Sequence, residues 1–302
     1  MKVNFLPPSV ERLTEPTSIA LAQNIERKAI ATPLSQVPVA TSFVRQGSGG
    51  TPILLLHGFD SSVFEFRRLL PLLAAHSETW ALDLLGFGFT ERLAEIPPNP
   101  TAIKTHLYCF WKTLIDQPVI LVGVSMGGAA AIDFTLTHPQ AVKKLALIDS
   151  AGLAKRPIAG KFLFPPLGYL ATEFLRNPKV RRRVSLAAYC DPNFVSPDAE
   201  LCAALHLEMP RWNQALIAFT QSGGYGSFAD ELAEIEQHTL ILWGEYDKIL
   251  GTADAAKFEK AIRHSKLLWI KDCGHVPHLE QPQITAQHIL DFLGDSDWCR
   301  SK

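Results

Sequence analysis

Ser125 lies in Gly123-Val124-Ser125-Met126-Gly127, a Gly-x-Ser-x-Gly pentapeptide. The residues before it, 119–124, read as a buried strand and those after it, 126–137, as a helix. The serine therefore falls on a sharp strand-to-helix turn, where a strained backbone presents its hydroxyl above the sheet edge. Glycines on both sides are needed where strand and helix nearly touch. The Met126 amide opens the helix, so its N–H can face a developing negative charge.

A serine hydroxyl is a weak nucleophile until a histidine takes its proton. Of ten histidines, His275 in Gly274-His275-Val276-Pro277-His278 follows the last strand-like run and precedes the last helix. That position puts it on the same carboxyl edge of the sheet as Ser125, with His278 the runner-up. The imidazole needs an acceptor to fix its tautomer and to stabilise its charged form. Asp247, just after the preceding strand-like run, is the favoured acid, and Asp149, just after residues 144–148, is its rival. A second oxyanion donor is expected from the loop after an early strand, where His57-Gly58-Phe59 offers the Phe59 N–H, with His57 bracing the turn. His275 and His278 lack a convincing third metal ligand. Asp83-Leu84-Leu85-Gly86-Phe87-Gly88 begins like a dinucleotide fingerprint, but Glu91 stands where the third glycine belongs. No cofactor or metal is expected.

These residues need a rigid frame. Short runs apolar on both faces at 52–56, 79–82, 119–124, 144–148, 240–243 and 267–270 read as parallel strands covered on two sides. Helical spacing at 64–75, 102–115, 126–137, 253–264 and 284–293 alternates with them, giving an α/β sheet. About 90 residues without a strand signal separate the fourth and fifth of these runs, too many for a simple connection. They read as an inserted helical subdomain, with helices at 174–188 and 199–220. The expected division is residues 1–152 and 236–302 for the core and 153–235 for the insert. Residues 17–30 read as a helix and 39–44 as an edge strand, with no role assigned to this first stretch.

Composition narrows the partners. The 302 residues carry 29 Lys and Arg against 30 Asp and Glu, which gives no general reason to bind nucleic acid. Five scattered cysteines with no Cys-x-x-Cys pair suit a reducing compartment. The N-terminus lacks an uninterrupted apolar signal segment, and no run approaches the roughly 20 residues that span a bilayer. A cytoplasmic protein is expected. Residues 155–185 hold eight Lys or Arg against Glu173 alone, together with Phe162, Phe164, Tyr169 and Phe174. This is either a solvated face over an apolar pocket or a weak contact with anionic membranes.

Taken in order, His57-Gly58-Phe59, Asp83-x-x-Gly86-x-Gly88, Gly123-x-Ser125-x-Gly127-Gly128, Gly244-x-x-Asp247 and Gly274-His275 resemble the α/β-hydrolase superfamily. The resemblance implies a mostly parallel eight-stranded sheet flanked by helices, a helical cap inserted after the sixth strand, and a Ser125, Asp247, His275 triad. Val124 departs from the Asn that often precedes the serine in the carbon–carbon bond hydrolases of the superfamily. A serine nucleophile also differs from the aspartate of its epoxide hydrolases and haloalkane dehalogenases. The expected activity is hydrolysis of a carboxylic ester or related acyl bond of a small, apolar substrate. Carbon–carbon bond cleavage by the same triad and non-catalytic binding of a small molecule are the alternatives.

Overall fold

The computed structural model describes residues 5–154 and 167–294. The stretch holding Phe162 and Phe164, and Cys299, lie outside these residues. The chain begins with helix α1 (Pro16–Gln23) and strands β1 (Ile25–Thr32), β2 (Ser35–Gln46) and β3 (Ile53–Leu56). Helix α2 (Leu70–Ala74), β4 (Thr79–Leu82), α3 (Pro100–Leu114), β5 (Val119–Val124), α4 (Met126–Thr137) and β6 (Val142–Ile148) follow. After an insert come β7 (Thr239–Gly244), α9 (Ala253–Ala261), β8 (Ser265–Ile270), α10 (Pro277–Glu280) and α11 (Pro282–Gly294). The insert contains α5 (Leu167–Arg176), α6 (Pro178–Ala188), α7 (Pro197–Cys202) and α8 (Trp212–Gln221).

The eight strands form one sheet in the order β1-β2-β4-β3-β5-β6-β7-β8. Only the pairings of β1 with β2 and β2 with β4 are antiparallel. Every residue of β3, β4, β5 and β7 is buried, as unbroken Leu, Ile and Val runs require when helices cover both faces. One apolar layer contains Leu54, Leu121, Leu147 and Trp243, the other Leu55, Val122, Ile148 and Leu242.

The sheet overrides local helical spacing at the N-terminus. The helix expected over 17–30 stops at Gln23, and Ile25 to Ile30 instead pair in register with Val44 to Val39. The edge strand expected over 39–44 is the inner part of the longer β2, and β1 is the true edge. In the insert, Pro178 divides the helix expected over 174–188, with Asn177 capping α6 through the Lys179 amide at 2.9 Å. The helix expected over 199–220 is broken near Pro210, where Arg211 adopts a φ of 62°.

Three carboxylates, two buried and one at the cavity wall, fasten the insert to the rest of the chain. Asp198 of α7 accepts from the Thr14 amide at 2.5 Å, the Glu15 amide at 2.9 Å and the Ser18 hydroxyl at 2.5 Å, so the N-terminal segment clasps the insert. Glu280 accepts from the Gly274, Cys190 and Asp191 amides at 2.7, 3.1 and 2.7 Å, joining α10 to the end of α6. Asp60 on the core accepts from Arg181 at 2.8 Å, His206 at 3.1 Å and the Trp212 indole at 2.7 Å. Burial alone would raise the Asp60 carboxyl, but these three partners outweigh it and hold it down to about 2. Burial pushes His206 below its ordinary range against the opposing pull of the Asp60 bond and charge, and Arg181 supplies a permanent positive charge to Asp60.

Two consequences can be measured. A Cβ on Gly127 would stand 2.1 Å from the Leu56 carbonyl oxygen, so Gly127→Val should lower stability by about 3 kcal/mol or more, seen as a lower urea midpoint. An unchanged midpoint would refute the close approach of α4 to β3. Because the folded state depresses the Asp60 carboxyl, its stabilisation is complete above the ordinary carboxylate range and fades as pH falls towards about 2. Asp60→Asn should therefore cost about 2 kcal/mol at pH 7, with the gap from wild type closing between roughly pH 4 and 2. A gap that stays constant with pH would show that the charge contributes nothing.

Candidate active site

Ser125 joins β5 to α4 with φ 51° and ψ −119°, a conformation an L-residue holds only when its surroundings impose it. Its amide donates to the Ile148 carbonyl at 3.0 Å, and its own carbonyl accepts from the Gly128 and Ala151 amides at 2.9 and 3.0 Å. Neighbouring backbone must approach closely for this turn to close. A Cβ on Gly123 would lie 2.3 Å from the Gly127 carbonyl oxygen. The serine side chain is thus pushed off the sheet edge, into a cavity of about 400 Å³ that His275 also lines.

His275 lies on the loop between β8 and α10 and is 6% exposed. Its amide donates to the Ala188 carbonyl at 2.7 Å, so the end of α6 helps to hold the loop. Its Nδ1 is 2.9 Å from Asp247 Oδ2. Since a carboxylate only accepts, Nδ1 carries the proton and Nε2 is left as the basic nitrogen. Asp247 Oδ1 accepts from the Ile249 and Leu250 amides at 2.7 and 3.0 Å. Burial works to raise the Asp247 carboxyl, but the bond and charge of His275 and the two amides hold it below its ordinary value.

The rival acid is close by and in a different state. Asp149 Oδ1 accepts from the Gly244 amide at 3.0 Å, while its buried Oδ2 has no donor. Burial, and then the neighbouring Asp247 charge, push the Asp149 carboxyl well above the carboxylate range. Two carboxyl oxygens side by side attract only if one holds a proton, and the upward shift falls on Asp149 while Asp247 is shifted down. Ligand atoms of Asp149, Asp247 and His275 fall within 4.8 Å of one another. A cation bound by all three would compete with the Asp247–His275 bond and with the Asp149 proton.

The loop after β3 is tied down from both sides. His57 is fully buried, its Nε2 accepts from the Leu84 amide at 3.1 Å, and its Nδ1 donates to the Gly58 carbonyl at 2.8 Å. The Gly58 amide donates to Glu65 Oε2 at 2.8 Å. Burial favours a raised Glu65 carboxyl, but His278, 3.1 Å away, and the Gly58 amide hold it at about 2. His278 is fully buried beside Glu65 and the Phe66 ring and is not among the residues lining the cavity, unlike His275. Asp83, at the start of the glycine-containing loop, accepts from the Val63 and Phe89 amides at 2.7 and 2.9 Å and so braces that loop.

Phe59 lines the cavity and Met126 is the first residue of α4, where a helix leaves its N–H without an internal partner. Leu175, Val180 and Val184 of the insert and Ile249 of the core make the upper wall apolar. Glu65, Asp60 and Glu280 were not singled out from sequence. The available signal was a lone carboxylate inside apolar runs such as Val63-Phe64-Glu65-Phe66 and Pro277-His278-Leu279-Glu280. The arrangement can polarise a hydroxyl, hold an apolar ligand over it, and offer helix-terminal positive potential to an oxyanion.

Residues 53–288 match the alpha/beta hydrolase family. The chain is similar to alpha/beta hydrolase domain-containing protein VTE7 of Arabidopsis thaliana, 36% identical over 296 residues, which cover 95% of this chain and 89% of that protein. It is also similar to the 2-hydroxy-6-oxo-6-(2'-aminophenyl)hexa-2,4-dienoic acid hydrolase of Metapseudomonas resinovorans, 28% identical over 267 residues, or 84% of this chain and 88% of that one. Among solved structures, a serine hydrolase involved in carbazole degradation, the CarC enzyme, matches with a TM-score of 0.74 and 26% identity over 89% of this chain and 98% of that one. By the extent of the family match and of the Arabidopsis relative, the chain belongs to the alpha/beta hydrolase family.

Proposed function

We propose that this hydrolase cleaves carboxylic esters or related acyl bonds through an acyl-enzyme formed on Ser125. The observation that carries this reading is the 2.9 Å bond from His275 to Asp247, with His275 and Ser125 lining one largely apolar cavity. His275 Nε2 takes the Ser125 proton as the oxygen attacks the substrate carbonyl. The Phe59 and Met126 amides receive the tetrahedral oxyanion. Protonated His275 gives its proton to the leaving alcohol, and the acyl group stays on Ser125. Water then loses a proton to His275, attacks the acyl carbon, and the tetrahedral intermediate collapses to release the acid and restore the serine. Asp247, kept ionised, balances the imidazolium at both stages.

Carbon–carbon bond hydrolysis is the second reading, favoured by the dienoic acid hydrolase among the relatives. Val124 before the nucleophile supports the ester reading over it. The four described cysteines are unpaired, which supports a reducing, cytoplasmic setting.

Turnover on p-nitrophenyl esters of increasing chain length, set beside turnover on a 2-hydroxy-6-oxohexa-2,4-dienoic acid, tests the choice. Ester hydrolysis should dominate, whereas faster dienoate cleavage would transfer the assignment, and binding without turnover on either would favour a receptor. Ser125→Ala and His275→Ala should each lower kcat by about six orders of magnitude, and Asp247→Asn by about four. Ester turnover above about one percent of wild type in Ser125→Ala would exclude this nucleophile. Asp149→Asn keeps a donor towards Asp247 and should change kcat by less than about tenfold. A loss as large as that of Asp247→Asn would instead make Asp149 the working acid.

A further inference from the structure

Helix α5 carries its bulk on the side away from the protein. Leu167, Leu170 and Phe174, spaced i, i+3 and i+7, are 49%, 63% and 64% exposed. The inward face holds Gly168 and Thr172, both buried, and a Cβ on Gly168 would already stand 3.2 Å from Ile217 of α8. A surface helix surrounded only by water turns its apolar stripe inward. This one presents it outward.

The neighbouring helix, in contact with α5, adds further exposed apolar side chains and charge. On α6, Val184 and Leu186 are exposed, and so are Lys179 and Arg183, one turn apart, with no ion-pair partner among the described residues. Of the five Lys and Arg across residues 167–188, Arg176, Arg181 and Arg182 pair with Glu173, Asp60 and Glu200, which leaves Lys179 and Arg183 as the exposed charge of these two helices. Val184 and Ile249 are both exposed and both line the cavity that Ser125 lines, so the cavity opens to solvent beside α6. No described helix is long and apolar enough to cross a membrane, so a contact made here is peripheral.

We propose that the outer face of α5 and α6 docks on an anionic lipid surface. Leu167, Leu170 and Phe174 enter the boundary between headgroups and acyl chains, Lys179 and Arg183 lie among the lipid phosphates, and the cavity mouth faces the bilayer. Apolar side chains flanked by unpaired cations match that boundary. A second copy fits less well, because pairing this face with itself brings its cations together. Docking does not depend on which bond the site cleaves.

The full chain is sedimented with vesicles of phosphatidylcholine alone and of phosphatidylcholine with roughly 30 mol% phosphatidylserine, at physiological salt. The anionic vesicles should bind about tenfold more protein. Leu170→Glu with Phe174→Glu, and separately Lys179→Glu with Arg183→Glu, should each abolish the difference. Both double variants should hydrolyse a soluble short-chain ester as wild type does, which separates a failure to dock from a failure of the site or fold. Absence of wild-type pelleting, or pelleting that neither double variant reduces, would overturn the proposal. So would sedimentation equilibrium showing a dimer that Leu170→Glu with Phe174→Glu dissociates, with no vesicle binding.

Discussion

The close contact of β3, β5 and α4 is the constraint on which the site depends. Gly123 and Gly127 let backbone pass where any side chain would collide with a carbonyl, and between them Ser125 is left at a φ of 51°. Bonds to Ile148 at the end of β6, to Gly128 in α4 and to Ala151 in the loop after β6 hold it there, so the cost of that conformation is met by strand, helix and loop together. The same geometry starts α4 at Met126 and sets a helix N-terminus beside the hydroxyl. One packing solution thus supplies both the turn that presents the Ser125 hydroxyl to the cavity and the positive end of a helix beside it.

Around this turn, carboxylates of one chemical kind are put to different uses by their surroundings. Asp247 meets an imidazole and two amides and is shifted towards its ionised form, whereas Asp149 meets one amide and a negative neighbour and is shifted towards its protonated form. Glu65 is ionised at the cavity wall because the Gly58 amide and His278 both face it, and in that state it anchors the loop carrying Phe59. Asp60, Asp198 and Glu280 apply the same chemistry at larger scale, tying the insert to the core, to the N-terminal segment and to the His275 loop. The cavity is therefore assembled by buried charge as much as by apolar packing.

The parallel strands and the serine turn were legible because their signals are local: unbroken apolar runs, and glycines at fixed offsets from one serine. The order of elements then sent His275 and Asp247 to one edge of the sheet, and the structure brings them into contact. What was not legible depends on partners distant in sequence. Residues 25–30 carry spacing compatible with a helix, and only pairing with β2 makes them a strand. Glu65 and Glu280 look like ordinary surface acids until the amides of Gly58 and Gly274 are seen to point at them. Asp247 was favoured over Asp149 from the order of elements, but the close approach of Asp149, with ligand atoms within 4.8 Å of those of Asp247 and His275, was not legible. The outward stripe of α5 was hidden for the same reason, because a helical period does not say which face meets the protein.

A crystal structure of the protein after reaction with a fluorophosphonate tests the central claim most directly. The account predicts a single phosphorus bonded to Ser125 Oγ, with its free oxygen about 3 Å from the Phe59 and Met126 amides and the imidazole of His275 beside the modified oxygen. Modification at another residue, or an adduct oxygen turned away from both amides, would contradict it.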